Sequence, residues 1–123
     1  VLAQVGLGNK LYAATANGNV FSFDLISPGA TWQQLGSTVD NAGIYSLTLL
    51  GNKIIAGSGD STIYSYDTTA SSPTWTILGS KIGSGQYISY GLTTIGSKIY
   101  VALGAATFAY VDVYDTSEAN PSW

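Results

Sequence analysis

The chain has 123 residues, the length of one domain, and only 9% of them are charged. Four lysines, no arginine and seven acidic residues leave a net charge of −3, which excludes the basic surface expected of a nucleic-acid-binding protein. The absence of Cys and His removes disulfides, thiolate chemistry and the commonest general base and metal ligand, and no apolar run approaches the roughly 18 residues of a membrane helix. We therefore expect no cofactor, no nucleic-acid partner and no membrane insertion.

In chain order, the first forty residues read as four strands joined by tight turns. The strand "VLAQVGL" is followed by a Gly-Asn-Lys turn, by "LYAAT", by the hairpin signal "ANGN" and by "VFSFD". A loop containing Pro28 then leads to the fourth strand, "TWQQLG". The β-branched and aromatic residues of these segments favour strands over helices.

The same pattern returns twice along the chain. "GNKIIAGSGDSTIYSYD" and "GSKIYVALGAATFAYVDVYD" align with "GNKLYAATANGNVFSFD", and the turn lysines recur at intervals of 43 and 45 residues, at Lys10, Lys53 and Lys98. An aromatic–Asp pair precedes a Trp by eight residues in every repeat: Asp24 to Trp32, Asp67 to Trp75, and Asp115 to Trp123. We expect the Asp to hydrogen-bond the loop that comes after it and the Trp to cover the contact between neighbouring repeats.

Repeated four-stranded units of about 40–45 residues are typical of β-propeller blades. The sequence thus predicts an all-β fold, a β-propeller with about three four-stranded antiparallel blades per chain. The blades are expected at residues 1–43, 44–86 and 87–123, and the fourth strand of the last one is clipped at Trp123.

The repeats resemble those of the kelch-type propellers, the superfamily that includes galactose oxidase. The resemblance lies in the turn before Lys53, the small residues after "KIIA", the "YSYD" segment, Trp75 and the "ILG" beyond it. The glycine pair that closes the second strand of kelch repeats is missing in all three repeats. The resemblance implies partner binding on a loop face, and no catalytic residue of the family has a counterpart here.

Three blades do not complete a ring, since propellers close with four to eight blades. Four strands about 4.8 Å apart and five residues long cover roughly 300 Å² on each open face. Joining two such faces is worth a gross ~15 kcal/mol, against an association cost of about 4–15 kcal/mol. Two alternatives remain open: a homodimer that completes a six-bladed ring, or a piece of a longer propeller that supplies the remaining blades.

Candidate binding residues lie in the connections of variable length, which join the second strand to the third and the fourth strand to the next blade. Because strands alternate in direction, both kinds of connection emerge at one end of the blades, and loops on a rigid scaffold are where binding residues concentrate. Tyr beside Asn, Ser and Gly suits recognition of a ligand. The candidates are Asp40, Asn41, Tyr45, Asp60, Gln86, Tyr87, Tyr90 and Phe108.

No nucleophile–base pair is apparent, and the carboxylates of Asp24, Asp67 and Asp115 recur too regularly to be catalytic, so the sequence predicts that the protein is not an enzyme. The leading interpretation is a non-catalytic module that binds a protein partner through its variable loops. The alternatives are a lectin-like propeller that binds a glycan, and an engineered or excised propeller fragment without a selected ligand. The low charge and the many Ser, Thr, Gly and Asn residues favour an extracellular or cell-surface location.

Overall fold

The computed structural model describes residues 1–83, 88–105 and 107–123, and these residues form strands and turns but no helix. No segment of this described part is therefore a helix that could cross a membrane. The strands of these described residues are β1 (Ala3–Leu7), β2 (Lys10–Ala14), β3 (Val20–Asp24), β4 (Gln33–Gln34), β5 (Ile44–Leu50), β6 (Lys53–Ser58), β7 (Ile63–Asp67), β8 (Trp75–Ile77), β9 (Ile88–Ile95), β10 (Lys98–Gly104) and β11 (Ala109–Asp115).

The strands form three antiparallel sheets, and the all-β class predicted from the sequence is confirmed. The first sheet has the order β1-β2-β3-β4, the second β5-β6-β7-β8, and the third β11-β10-β9. Within the described residues the three sheets close into neither a ring nor a barrel. Neighbouring strands in each sheet are consecutive in sequence, so every connection is a local turn or loop.

The turn that starts each repeat explains why its first two strands pair. In the first sheet Leu7 lies opposite Lys10, which leaves a two-residue loop, and Gly8 at its first position has a φ of 58°. Gly51 and Gly96 have φ values of 58° and 60° at the same place in the other sheets. A left-handed residue at that position is the mark of a primed hairpin turn, for which glycine is a favoured residue.

The first and second sheets pack face to face through an apolar core. Tyr12 and Val20 of the first sheet are buried against Ile54 and Tyr66 of the second. These residues alternate along their strands with residues of the opposite face, as the pleat of a strand requires. The contact therefore uses one face of each sheet.

The second and third sheets are joined by a separate core on the other face of β6. Ile55 and Ile63 of the second sheet pack with Ile99, Val101 and Tyr114 of the third. The second sheet is thus covered on both sides, which explains why β6 reads as a nearly continuous run of apolar and small residues.

The first strands of the second and third sheets meet in a narrow polar contact. The Ser46 hydroxyl donates a 2.8 Å hydrogen bond to the Ser89 carbonyl, and the two hydroxyls lie 3.0 Å apart in a buried position. A Cβ atom at Gly57 would fall well inside contact distance of both hydroxyls. The glycine and the two serines together allow the two sheets to approach closely here.

Candidate functional site

The β2–β3, β4–β5 and β6–β7 connections meet at one end of the sheets, which we call the loop end. The Val39 amide donates to the Gly18 carbonyl at 2.8 Å, and the Gly59 amide donates to the Gly43 carbonyl at 3.0 Å. These bonds link the first two sheets through their loops. The loop end carries most of the candidate residues that the structure describes.

A polar cluster at the loop end is built around the buried hydroxyl of Ser58. This hydroxyl hydrogen-bonds to Oδ2 of Asp40 and lies 2.9 Å from Oδ1 of Asp60. The Tyr64 hydroxyl donates to Oδ2 of Asp40 at 3.4 Å, and Nζ of Lys81 lies 2.6 Å from Oδ2 of Asp60. Two of the predicted candidates, Asp40 and Asp60, are therefore brought together through a residue that the sequence did not indicate.

The surroundings of Asp60 and Tyr64 shift the pKa values of these two side chains in opposite directions. Burial acts to raise the pKa of Asp60, but hydrogen bonds from the side chains of Lys81, Thr62 and Ser58 outweigh it and hold that pKa well below its usual range. Burial, together with the nearby carboxylates of Asp40 and Asp60, raises the pKa of Tyr64 to about 12. An ionised Asp60 and a protonated Tyr64 at neutral pH suit a structural network that ties the loops together.

Asp40 also has a local role in its own loop. Its Oδ1 atom accepts a 3.0 Å hydrogen bond from the Ala42 amide two residues further on, which is the pattern of an Asx-turn. Both carboxylate oxygens of Asp40 are therefore engaged with protein donors. Its neighbour Asn41 is exposed to solvent.

Tyr45 and Tyr90 are brought together at the loop end by two β-bulges. The register of β5 with β6 shifts between Ile44 and Ser46, and the register of β9 with β10 shifts opposite Tyr90, so each tyrosine is the extra residue of its bulge. The two rings meet edge to face with centroids 6.4 Å apart, and Tyr90 is 63% exposed.

Glycines make room for these two rings. A Cβ atom at Gly59 would lie 2.9 Å from Cε2 of Tyr45, and one at Gly104 would lie 3.0 Å from Cε2 of Tyr90. Each ring therefore lies directly against backbone. Of the remaining candidates, Phe108 is exposed in the β10–β11 turn, where its carbonyl accepts the Ala105 amide at 2.9 Å, and Gln86 and Tyr87 lie outside the described residues.

The repeated Asp residues cap the loops at the opposite end of the sheets, as the sequence predicts. Each Oδ1 atom accepts the amide two residues further on, at 3.1 Å for Asp24, 2.9 Å for Asp67 and 3.0 Å for Asp115. The described residues contain no group of three or more Asp, Glu, His or Cys side chains placed to hold a metal ion.

The repeated Trp residues fasten neighbouring sheets to each other. Nε1 of Trp75 donates to the Leu35 carbonyl of the first sheet's last segment at 2.8 Å, and Nε1 of Trp123 donates to the Leu78 carbonyl in the second at 2.8 Å. Each indole also packs on the aromatic residue before the repeated Asp, with ring centroids 5.0 Å apart. Both interfaces between sheets therefore use the same contact.

The outer face of the first sheet carries the same aromatic pair, and no sheet of the described residues packs on that face. The rings of Phe23 and Trp32 lie 5.2 Å apart, and Trp32 is 47% exposed. Beside them is an apolar cavity of about 300 Å³ lined by Val1, Ala13, Thr15, Phe21 and Trp32. The outer face of the third sheet has a second apolar depression, lined by Gly91, Leu92, Thr93, Tyr100, Ala102 and Val111.

Comparison with known proteins supports the fold and leaves the family open. No protein-family model matches the chain, and no curated protein is significantly similar to it. The computationally designed Ika4 protein is similar in structure, with a TM-score of 0.71 and 15% identity over 98% of this chain and 68% of Ika4. The computationally designed Ika8 protein gives a TM-score of 0.69 and 14% identity over 98% of this chain, which spans only 34% of Ika8. At such identities the likeness concerns the fold alone.

Proposed function

We propose that this chain is a kelch-like β-propeller segment whose role is architectural, an engineered or excised array of blades that assembles through its sheet faces and has no selected small ligand. The main observation that supports this proposal is the aromatic pair Phe23–Trp32 on the open face of the first sheet. It repeats the pairs Tyr66–Trp75 and Tyr114–Trp123, which join neighbouring sheets. A face built like the internal contacts is suited to a further blade.

Two further observations support this proposal. Two of the similar structures, Ika4 and Ika8, are computationally designed proteins, and this chain covers only part of each. The carboxylates of Asp40 and Asp60, which are candidates for ligand binding, are engaged by Ser58, Tyr64 and Lys81. A non-catalytic scaffold accounts for both features.

The assembly is tested by the mass of the chain in solution, measured by light scattering after size exclusion. We expect particles of two or more chains, because two open apolar faces per chain favour association. Trp32→Glu and Val111→Lys, one on each open face, are each expected to lower the mass. Leu25→Glu is the matched control, since Leu25 is 60% exposed but lies in the loop after β3.

A chain that is monomeric at all concentrations would contradict the proposal, because its open faces would then not be docking faces. A mass of two chains would favour the six-bladed homodimer. A heterogeneous aggregate that Trp32→Glu and Val111→Lys together disperse would favour a piece of a longer propeller.

The exposed ring of Tyr90 beside Tyr45 favours a second candidate function, glycan binding at the loop end. Aromatic platforms next to carboxylate and amide groups suit sugar recognition, and Asp40 and Asn41 lie in the neighbouring connection. Binding of a protein partner through the variable loops stays a prediction from the sequence, with which the exposure of Asn41 and Phe108 is compatible.

A further inference from the structure

The first and second sheets leave a groove between them at the end opposite the loop end, which we call the cap-end groove. It has a volume of about 510 Å³, in the range of about 300–1,000 Å³ that is typical of ligand sites. Leu7 and Ile26 line its apolar part. Its polar part is lined by Asn9, Lys10, Tyr12 and Asp24 of the first repeat and by Asn52 of the second.

Tyr12 brings to this groove a hydroxyl that has no protein partner. Only 4% of Tyr12 is exposed, and no group of the described residues hydrogen-bonds its hydroxyl. Every fully buried side-chain oxygen or nitrogen in the described part of the chain does have a partner. The Tyr12 hydroxyl therefore reaches accessible surface, and the groove is the surface that Tyr12 lines. Burial, together with Tyr66, raises the pKa of Tyr12, so the hydroxyl keeps its proton at neutral pH and can donate it to a hydrogen bond.

The ammonium group of Lys10 is unpaired as well. Lys10 lies opposite Asp24 in the register of β2 with β3, as Lys98 lies opposite Asp115 in the third sheet. Nζ of Lys98 is 3.4 Å from Oδ2 of Asp115, whereas Lys10 makes no ion pair with the residues that the structure describes. The first repeat thus presents a free cation where the third has an internal ion pair.

One change of residue leaves Asp24 with spare capacity to accept hydrogen bonds. In the second and third repeats the hydroxyl two residues after the repeated Asp donates to its Oδ1 atom, at 2.7 Å from Thr69 and at 2.6 Å from Ser117. Ile26 holds this position in the first repeat and has no hydroxyl, so Asp24 accepts only the Ile26 amide from the described residues. Its Oδ2 atom is left for a ligand.

The groove offers more hydrogen-bond donors than charged acceptors. The side-chain amides of Asn9 and Asn52 are exposed and make no hydrogen bond with the described residues. Together with Lys10 and Tyr12 they form a set of donors that suits a carboxylate. Asp24, the one carboxylate of the groove, suits an N–H group beside that carboxylate. The C-terminal residue of a polypeptide carries both groups on one carbon atom.

We propose that the cap-end groove binds the C-terminal residue of another polypeptide. The terminal carboxylate accepts hydrogen bonds from Lys10 and Tyr12, and the N–H group of the same residue donates to Asp24. An apolar terminal side chain packs on Leu7 and Ile26. Capture of a C-terminal carboxylate is a general mode of peptide recognition. The site goes beyond the architectural role and is independent of it, because both walls of the groove belong to sheets within this chain.

The test is a titration of the ¹⁵N-labelled chain with the dipeptide N-acetyl-alanyl-leucine, monitored by NMR. We expect concentration-dependent shifts of the Lys10 backbone amide and of the side-chain amides of Asn9 and Asn52. The same dipeptide with a C-terminal amide is the control, and we expect its affinity to be at least about tenfold lower, because the charge-assisted hydrogen bonds are lost. N-methylation of its leucine removes the donor to Asp24 and is expected to weaken binding about threefold or more.

Two variants test the donors, with a matched control. Lys10→Met is expected to weaken binding by about tenfold. Lys53→Met changes the equivalent lysine of the second repeat, which does not line the groove, and should retain the full affinity. Tyr12→Phe removes only the hydroxyl, and we expect about threefold to tenfold weaker binding. Its melting temperature should stay unchanged, since the hydroxyl has no protein partner to lose.

Ile26→Thr tests the acceptor without altering Asp24 itself. The new hydroxyl is expected to donate to Asp24, as Thr69 donates to Asp67 in the second repeat, and so to compete with the ligand. We expect binding to weaken by about threefold. Circular dichroism verifies that each variant keeps the fold, and the exposed positions of Lys10 and Ile26 keep the test open if Tyr12→Phe fails to fold.

Four results would overturn the proposal: no shifts at the groove, equal binding of the dipeptide amide, full affinity in Lys10→Met, or full affinity in a folded Tyr12→Phe variant. Free leucine provides a fifth decision, because it has the same carboxylate beside an ammonium group. If free leucine binds as tightly as the acetylated dipeptide, the groove takes an amino acid and not the end of a chain, and the proposal is wrong.

Discussion

The indole Nε1 of Trp75 donates a 2.8 Å hydrogen bond to the backbone carbonyl of Leu35, forty residues earlier in the chain and in the neighbouring sheet. Gly36 comes directly after Leu35 with a φ of 71°, and a Cβ atom there would lie 3.2 Å from Cδ1 of the indole. The Trp and the Leu-Gly pair therefore form one unit of contact between sheets. Trp123 repeats it with Leu78 and Gly79.

This contact predicts different effects for the same substitution at two tryptophans. Trp75→Phe leaves the Leu35 carbonyl without its donor and leaves a gap at the interface, so we expect the free energy of unfolding to fall by about 1–3 kcal/mol. Trp32→Phe is the matched control on the open face, and we expect a change below about 1 kcal/mol, since a half-exposed ring leaves no sealed cavity. Urea denaturation monitored by circular dichroism measures both. Equal losses at the two positions would contradict the role of the Leu35 carbonyl.

The second prediction concerns the close approach of the second and third sheets at Gly57. An added methyl group would overlap the hydroxyls of Ser46 and Ser89, so we expect Gly57→Ala to destabilise the fold by about 1–3 kcal/mol. Gly91→Ala is the control, because the nearest atom to its Cβ would be the Ala102 Cβ at an ordinary 3.6 Å. We expect that variant to be neutral or stabilised by about 0.4–1 kcal/mol. A harmless Gly57→Ala would show that the two sheets do not approach closely at this point.

The third prediction concerns acid stability through Asp60. Its pKa is lowered in the folded chain, since the Lys81, Thr62 and Ser58 hydrogen bonds outweigh burial. A lowered folded pKa contributes stability that is present above the unfolded value of 3.8 and is lost as the pH falls below it. We therefore expect Asp60→Asn to lose less stability than the unaltered chain between pH 5 and about pH 2.

Lys81→Met tests the cause of that shift. Removing the ammonium group is expected to bring the Asp60 pKa back toward its usual value. The loss of folding stability between pH 5 and about pH 2 is then expected to be smaller, as in Asp60→Asn. Lys10→Met, which alters a lysine of the β1–β2 turn, is the control. Denaturant unfolding at a series of pH values gives the comparison. If both Asp60→Asn and Lys81→Met lose as much stability at low pH as the unaltered chain, the ion pair of Asp60 with Lys81 is not the cause of the acid dependence.

The sequence could predict the strands and their contacts because the repeat displays them three times. A glycine turn, two β-rich segments and a fixed Asp-to-Trp spacing define each sheet, and the Asp caps and Trp contacts derive from their position in the repeat. The assignment to a propeller, the kelch-like resemblance and the bounds of the blades stay predictions, because the arrangement of the three sheets demonstrates only the all-β class.

The candidate site was harder to predict because it depends on residues outside the repeat. The polar cluster forms where the β4–β5 and β6–β7 connections meet, so Ser58 and Tyr64 gain their roles from a contact between loops that differ in length. Lys81 offered one signal, since it is the only lysine that does not occupy the repeated turn. The contact of Tyr45 with Tyr90 depends on two β-bulges. The alternation of inward-facing and outward-facing residues along a strand does not reveal such bulges.

The last prediction tests the loop end as a glycan site. If the edge-to-face pair of Tyr45 and Tyr90 is a sugar platform, the chain binds at least one member of a glycan array, and Tyr90→Ala abolishes that binding without altering the circular dichroism spectrum. Tyr90→Phe is the matched control, because it keeps the ring on which a sugar stacks and removes only the hydroxyl. We expect it to retain most of the affinity, since stacking uses the face of the ring. A chain that binds no glycan, or a Tyr90→Ala variant that still binds one, would rule out glycan binding at the loop end. Of the two candidate functions, the architectural role would then be the one that remains.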